Sequence, residues 1–217
     1  MFNIPHIDID KLLGQLIYNP ADPLLFNSGF FLFFMLFFLL IYQFLYKHKV
    51  SRILFFTVAS LYFFYKACGF YFLLIVIAAV VDFNLSNWIY RAKKTSSKKG
   101  LLIFSIIINL GVLVYFKYTN FFIEIVNGFN AGKLQPLNLI LPIGISFYTF
   151  ENLSYTIDVY RGKFKPVTSF LDYCFFLSFF PKLVMGPIVR ASDFIPQIRK
   201  DIFITNEDIG KGLYLIM

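Results

Sequence analysis

The stretch LPIGISFYTFENLSYTIDVYRG, residues 141–162, holds the side chains best suited to chemistry. Glu151 and Asp158 can carry or pass a proton, Tyr148 and Tyr155 offer phenolic hydroxyls, Asn152 both donates and accepts, and Arg161 can hold an anion. On a helix Glu151, Tyr155 and Asp158 fall at i, i+4 and i+7, with Tyr148 and Asn152 close to the same side, so the spacing gathers them on one polar face. A second stretch, FFPKLVMGPIVR at 179–190, sets Lys182 and Arg190 among two prolines and a glycine in otherwise apolar sequence. Backbone groups freed by such breaks, together with two cations, can bind an anionic or thioester-bearing substrate. Each feature also has a plainer reading. Glu151 fits an interhelical hydrogen bond or an interfacial position, Asp158 and Arg161 at i, i+3 fit a helix-end ion pair, and the prolines fit a kinked or re-entrant element.

The elements that must position these residues are apolar. Of 217 residues, 59% are hydrophobic, 31 are Phe and only 15% are charged, and the mean hydropathy is +0.71. That exceeds what one soluble core can hide, so the composition predicts an all-α, polytopic transmembrane helix bundle, a single membrane domain over 1–217 with lipid as its surroundings. The formal net charge of +8 is spread over short loops, which reads as a topology signal and not as a nucleic-acid surface.

Residues 1–23 read as an extramembrane or interfacial segment, with a short surface helix over 6–18 and no cleavable signal peptide. Phe30–Tyr46 forms a first crossing that stops at KHKVSR. Ile53–Tyr90 forms two helices turning near Gly69 as a hairpin, and Leu101–Tyr118 a further crossing. The segment 127–136 then falls outside, and 47–52, 91–100 and 161–166, rich in Lys and Arg, all face the cytoplasm. Phe170–Ile188 is broken by Pro181, Gly186 and Pro187 into short or re-entrant pieces. No metal-ligand or nucleophile constellation appears: His6 and His48 lie outside apolar runs, and Cys68 and Cys174 read as free buried thiols.

The two long stretches, 141–162 and 179–190 in that order, with PLLFNSGFFLF at 23–33 and VYFKYTNFF at 114–122, resemble the membrane-bound O-acyltransferase family, in particular its bacterial alginate O-acetylase branch. The branch commonly has Gln where FEN at 150–152 carries Glu151. The resemblance implies helices around a tunnel in a multi-pass protein of the inner, cytoplasmic membrane. An acyl group, acetyl in that branch, would pass from a cytoplasmic thioester donor, acetyl-CoA or an acyl carrier, to hydroxyls of an extracytoplasmic polysaccharide, alongside a partner acetylation protein. No bound cofactor is expected, and the residues themselves point to no metal and no nucleic acid. The family's catalytic histidine belongs to a later motif, expected beyond residue 217, so this chain is expected to supply the N-terminal half and to be inactive alone. Tyr148, Glu151, Asn152, Tyr155, Asp158, Arg161, Lys182 and Arg190 are then candidates for lining the tunnel or contacting substrate. The same polar membrane residues also suit a secondary transporter or flippase, and the basic loops suit a scaffold for a polysaccharide export complex.

Overall fold

The computed structural model describes residues 14–130, 134–183, 186–201 and 205–216, and among them it is helical with no strand. The segments are α1 Gly29–Leu45, α2 Lys49–Cys68, a 3-10 turn Gly69–Phe72, α3 Leu73–Arg91, α4 Thr95–Asn130, α5 Ile145–Tyr160, α6 Phe170–Ser178, α7 Phe180–Leu183, α8 Ala191–Ile198 and α9 Asn206–Ile216. By length and composition, Lys49–Arg91 and Thr95–Phe129 can each cross a membrane, and α1 is a shorter apolar helix. Most of the surface helix expected over 6–18 lies outside the described residues.

Ser28 starts α1 by accepting a hydrogen bond from the Phe31 amide at 3.3 Å, satisfying one of the donors a helix leaves free. Phenylalanines then weld α1 to α2. Phe63 stacks on Phe180 at 5.1 Å, while Phe34 and Phe38 meet the same ring edge-on. The opposite face of α1, including Leu32, Phe33, Leu36, Phe37 and Phe44, stays exposed, the pattern of a helix with one side toward apolar surroundings.

The turn near Gly69 is present, with Gly69 at φ 62° as the cap of α2. Its arms do not close on each other as the expected hairpin does. Instead α6 sits between them, with Phe175 stacked on Phe56 of α2 and Tyr173 against Phe83 of α3. The nine-residue α6 therefore buries side chains on two sides at once, which is why Tyr173, Phe176 and Leu177 are wholly shielded.

α4 is twice the length of the crossing read from its apolar core. It begins within the basic segment at Thr95 and runs 36 residues, about 54 Å at 1.5 Å per residue. Asn120 and Asn127, seven apart and so on one face, each exchange two hydrogen bonds with the returning chain, at Leu137 and Leu134 respectively. These clips hold an extended strap along the helix and deliver the chain to Gly144.

The segments 47–52, 91–100 and 161–166 converge on one end of the bundle, where Ile53 packs with Phe175 and Ile198 and where Ser86 meets Thr156. Arg52, however, is not a solvated loop charge. It is 2% exposed, and its guanidinium donates to the carbonyls of Tyr46, Ile198 and Lys200 at 3.1, 2.8 and 3.0 Å. It thus satisfies acceptors that the C-terminal end of α8 would otherwise leave unpaired.

Candidate functional site

Gly144 opens α5 with φ 77°, and a Cβ there would lie 2.9 Å from the side chain of Leu183. Only glycine enters this conformation without penalty and lets α7 approach so closely. The chain emerging from it buries Tyr148, Thr149, Glu151, Asn152, Tyr155 and Thr156 on one broad face. The expected polar face of this helix is therefore real, and it points inward.

Two of the candidates meet directly. Lys182 donates to both carboxylate oxygens of Glu151 at 2.8 Å, with the residues 7% and 2% exposed. The ammonium also lies 3.9 Å from the centre of the Phe176 ring and 4.9 Å from that of Phe194, so aromatic faces stabilise the side of the charge that the carboxylate leaves uncovered. A break after α6 brings the lysine there. α6 ends at Ser178, and the Phe179 that caps it, with ψ 101°, redirects the chain. α7 then lasts four residues, and Gly186 closes over it with its amide bonded to the Lys182 carbonyl at 2.9 Å.

Asn152 anchors a second buried layer. It accepts from the Tyr173 hydroxyl at 2.7 Å and donates to Asn109 at 3.3 Å. Asn109 in turn donates to Asp82 at 2.7 Å, and Ser105 donates to the other Asp82 oxygen at 2.6 Å. Tyr155 accepts from the Val167 amide at 3.0 Å and packs its ring 4.7 Å from that of Tyr173, which makes it a brace between α5 and α6.

Asp82, Ser105, Asn109, Thr156 and Tyr173 were not singled out in the sequence. The available signal was an acid in LLIVIAAVVDFNLSNWIY, and Ser105 and Asn109 at i, i+4 within an apolar run.

Three candidates stand apart. Asp158 and Arg161 form no ion pair among the described residues: Arg161 is exposed, and Asp158 contributes its backbone carbonyl to the turn at Lys163. The left-handed Gly162, φ 70°, ends the helix there, so backbone capping replaces the expected charge contact. Arg190 is exposed at the start of α8, and its side chain makes no cap hydrogen bond there. Tyr148 is buried at 3%, but its hydroxyl has no partner among the described residues. Of the thiols, Cys68 is buried and Cys174 half-buried, both unpaired. His48 is exposed, and His6 lies outside the described residues.

At 37% identity over 183 residues, 80% of this chain is similar to 34% of the probable alginate O-acetylase of Pseudomonas aeruginosa. The probable alginate O-acetylase of Azotobacter vinelandii is 33% identical, with 80% of this chain and 36% of that protein covered. The peptidoglycan O-acetyltransferase of Helicobacter pylori is 31% identical over 222 residues, covering 88% and 42%. The chain thus spans between about a third and two fifths of the length of these curated relatives. No family model matches it, and no solved structure does.

Proposed function

We propose, from the premise that this chain is a relative of the membrane-bound O-acyltransferases of the alginate O-acetylase branch, that the whole protein transfers an acetyl group to hydroxyls of a cell-envelope polysaccharide. The observation that carries this reading is the similarity itself, which extends over four fifths of the chain to proteins named for O-acetyl transfer to alginate and to peptidoglycan. The present chain serves as the helical wall of that enzyme. It is a polytopic bundle in the inner membrane, with 47–52, 91–100 and 161–166 on the cytoplasmic face, as their Lys and Arg favour.

The donor is an acyl thioester. The acceptor hydroxyl oxygen bonds to the thioester carbonyl carbon, the carbon–sulfur bond breaks, the departing thiolate takes up a proton, and the acceptor's proton passes to a general base. His48 is exposed and stands apart from the buried polar layer, so the reading assigns the base to a part of the protein outside this chain. What Glu151, Lys182, Asn152 and Tyr173 supply is a rigid polar layer between α5, α6 and α7. It fixes the wall of a water-poor passage in which a thioester resists hydrolysis.

Mass spectrometry of surface polysaccharide from cells with and without the gene tests this. Acetyl esters present only with the gene are expected, and an unchanged ester content would sink the reading.

A further inference from the structure

Two lysines are buried among the described residues, and they are matched differently. Lys182 faces the Glu151 carboxylate, whereas Lys66, at 5% exposure, forms no ion pair among the described residues. Its ammonium donates to the carbonyls of Gln15 and Ile17, both at 2.6 Å, and lies 5.2 Å from the centre of the Phe30 ring. The two carbonyls take two of its three N–H groups, and these neutral partners leave the charge without a counterion. Lys66 follows Lys49 by 17 residues in α2, about 26 Å along the helix, so it stands close to the membrane face opposite the basic segments.

Lys66 lines a cavity of about 530 Å³ with Asn19, Asp22, Ser28, Phe30 and Phe33, a volume within the roughly 300–1,000 Å³ of small-molecule sites. Opposite charges thus border one cavity. Asp22 is exposed and, among the described residues, is bonded only through its amide, to the Asn19 carbonyl at 3.1 Å. The first turn of α1 also borders the cavity at Ser28 and Gly29, adding backbone donors that favour an anion beside Lys66. From Phe33 the exposed side chains of Phe37, Leu40 and Phe44 continue at i+4, i+7 and i+11, one stripe running about 16 Å down α1. That is close to the depth of one leaflet of a hydrocarbon core about 30 Å thick.

We propose that this cavity holds the headgroup of an ethanolamine phospholipid as a resident lipid, its phosphate on Lys66 and the first turn of α1, its ammonium on Asp22, and one acyl chain along Phe33, Phe37, Leu40 and Phe44. A headgroup of two opposite charges matches the two charges of the lining, and its ammonium N–H groups can donate to a carboxylate as a quaternary ammonium cannot. A sugar acid would satisfy Lys66 but has no use for the apolar stripe. The lipid stays intact, so this inference is independent of acyl transfer.

Native mass spectrometry of the full-length protein, released from nanodiscs of equal parts ethanolamine, choline and glycerol phospholipids, tests it. The wild type is expected to retain the ethanolamine lipid over each of the others by roughly tenfold, the order that one charge-assisted hydrogen bond produces. Asp22→Asn, at an exposed position that the fold does not depend on, should remove the advantage over the choline lipid. Lys66→Met should lower retention of all three lipids; where it fails to fold, Asp22→Asn decides the matter. Equal retention of the three lipids by the wild type, preference for the anionic glycerol lipid, or an ethanolamine preference unchanged in Asp22→Asn overturns the proposal. A wild type that retains no lipid preferentially but binds a soluble uronate oligosaccharide, with that binding lost in Lys66→Met, would assign the cavity to a polysaccharide and likewise overturn it.

Discussion

Glu151→Gln is expected to destabilise the protein by about 3–5 kcal/mol, the range found when one member of a buried ion pair is removed and the other stays charged. Read from the sequence alone the change is mild, since the resembled branch commonly carries Gln there. The structure reverses that expectation, because Lys182 stands 2.8 Å away with almost no access to solvent. The glutamine amide offers one acceptor oxygen where the carboxylate offers two, and it cannot neutralise the ammonium. Combining Glu151→Gln with Lys182→Met should recover most of the loss, since a neutral pair of similar volume avoids the stranded charge. Thermal unfolding of the single and double variants in detergent measures this. Equal midpoints for Glu151→Gln and wild type would mean that Lys182 finds its compensation elsewhere.

Gly186→Ala is expected to be the most damaging conservative change in the broken segment. A Cβ at this position would lie 2.6 Å from both the Cα and the carbonyl oxygen of Lys182. These are backbone atoms, so no side-chain rotation relieves the clash and the α7 turn must move. The cost is roughly 1–3 kcal/mol or more, the range for overpacking a filled site, and it falls on the residue that completes the ion pair. Gly111→Ala is the control: in the middle of α4 an added Cβ meets nothing within 4 Å, and helix propensity favours alanine there. A drop in unfolding midpoint for Gly186→Ala against none for Gly111→Ala is expected. Matching behaviour of the two would contradict the close approach of Gly186 to Lys182.

What was legible in the sequence follows from periodicity and charge. The inward polar face of α5 was visible because its residues recur at helical spacing, and the break after α6 was visible because proline and glycine punctuate it. The common end of the three basic segments was visible because charge marks crossings. Pairing across the fold has no such period. Glu151 and Lys182 are 31 positions apart, and nothing in either neighbourhood specifies the other. Arg52 looked like any loop cation because its partners are backbone carbonyls, which leave no trace in residue type. Asp82 was passed over in its apolar run because what holds it, Ser105 and Asn109, comes from the next helix. The extent of α4 was missed because TSSKKG and the residues after Tyr118 are polar enough to read as loops, although helical hydrogen bonds close through both.

The proposed reaction carries an acetyl group from a thioester on one side of the membrane to sugar hydroxyls on the other. Sealed vesicles containing the full-length protein, with a radiolabelled acetyl thioester supplied only at the face bearing segments 47–52, 91–100 and 161–166 and polysaccharide enclosed on the opposite face, test it in one measurement. The expected result is label on the enclosed polymer as a hydroxylamine-labile ester, dependent on the protein and absent when the donor is supplied from the other face. Label released only as free acetate, or polymer labelled equally well from either face, would contradict the account.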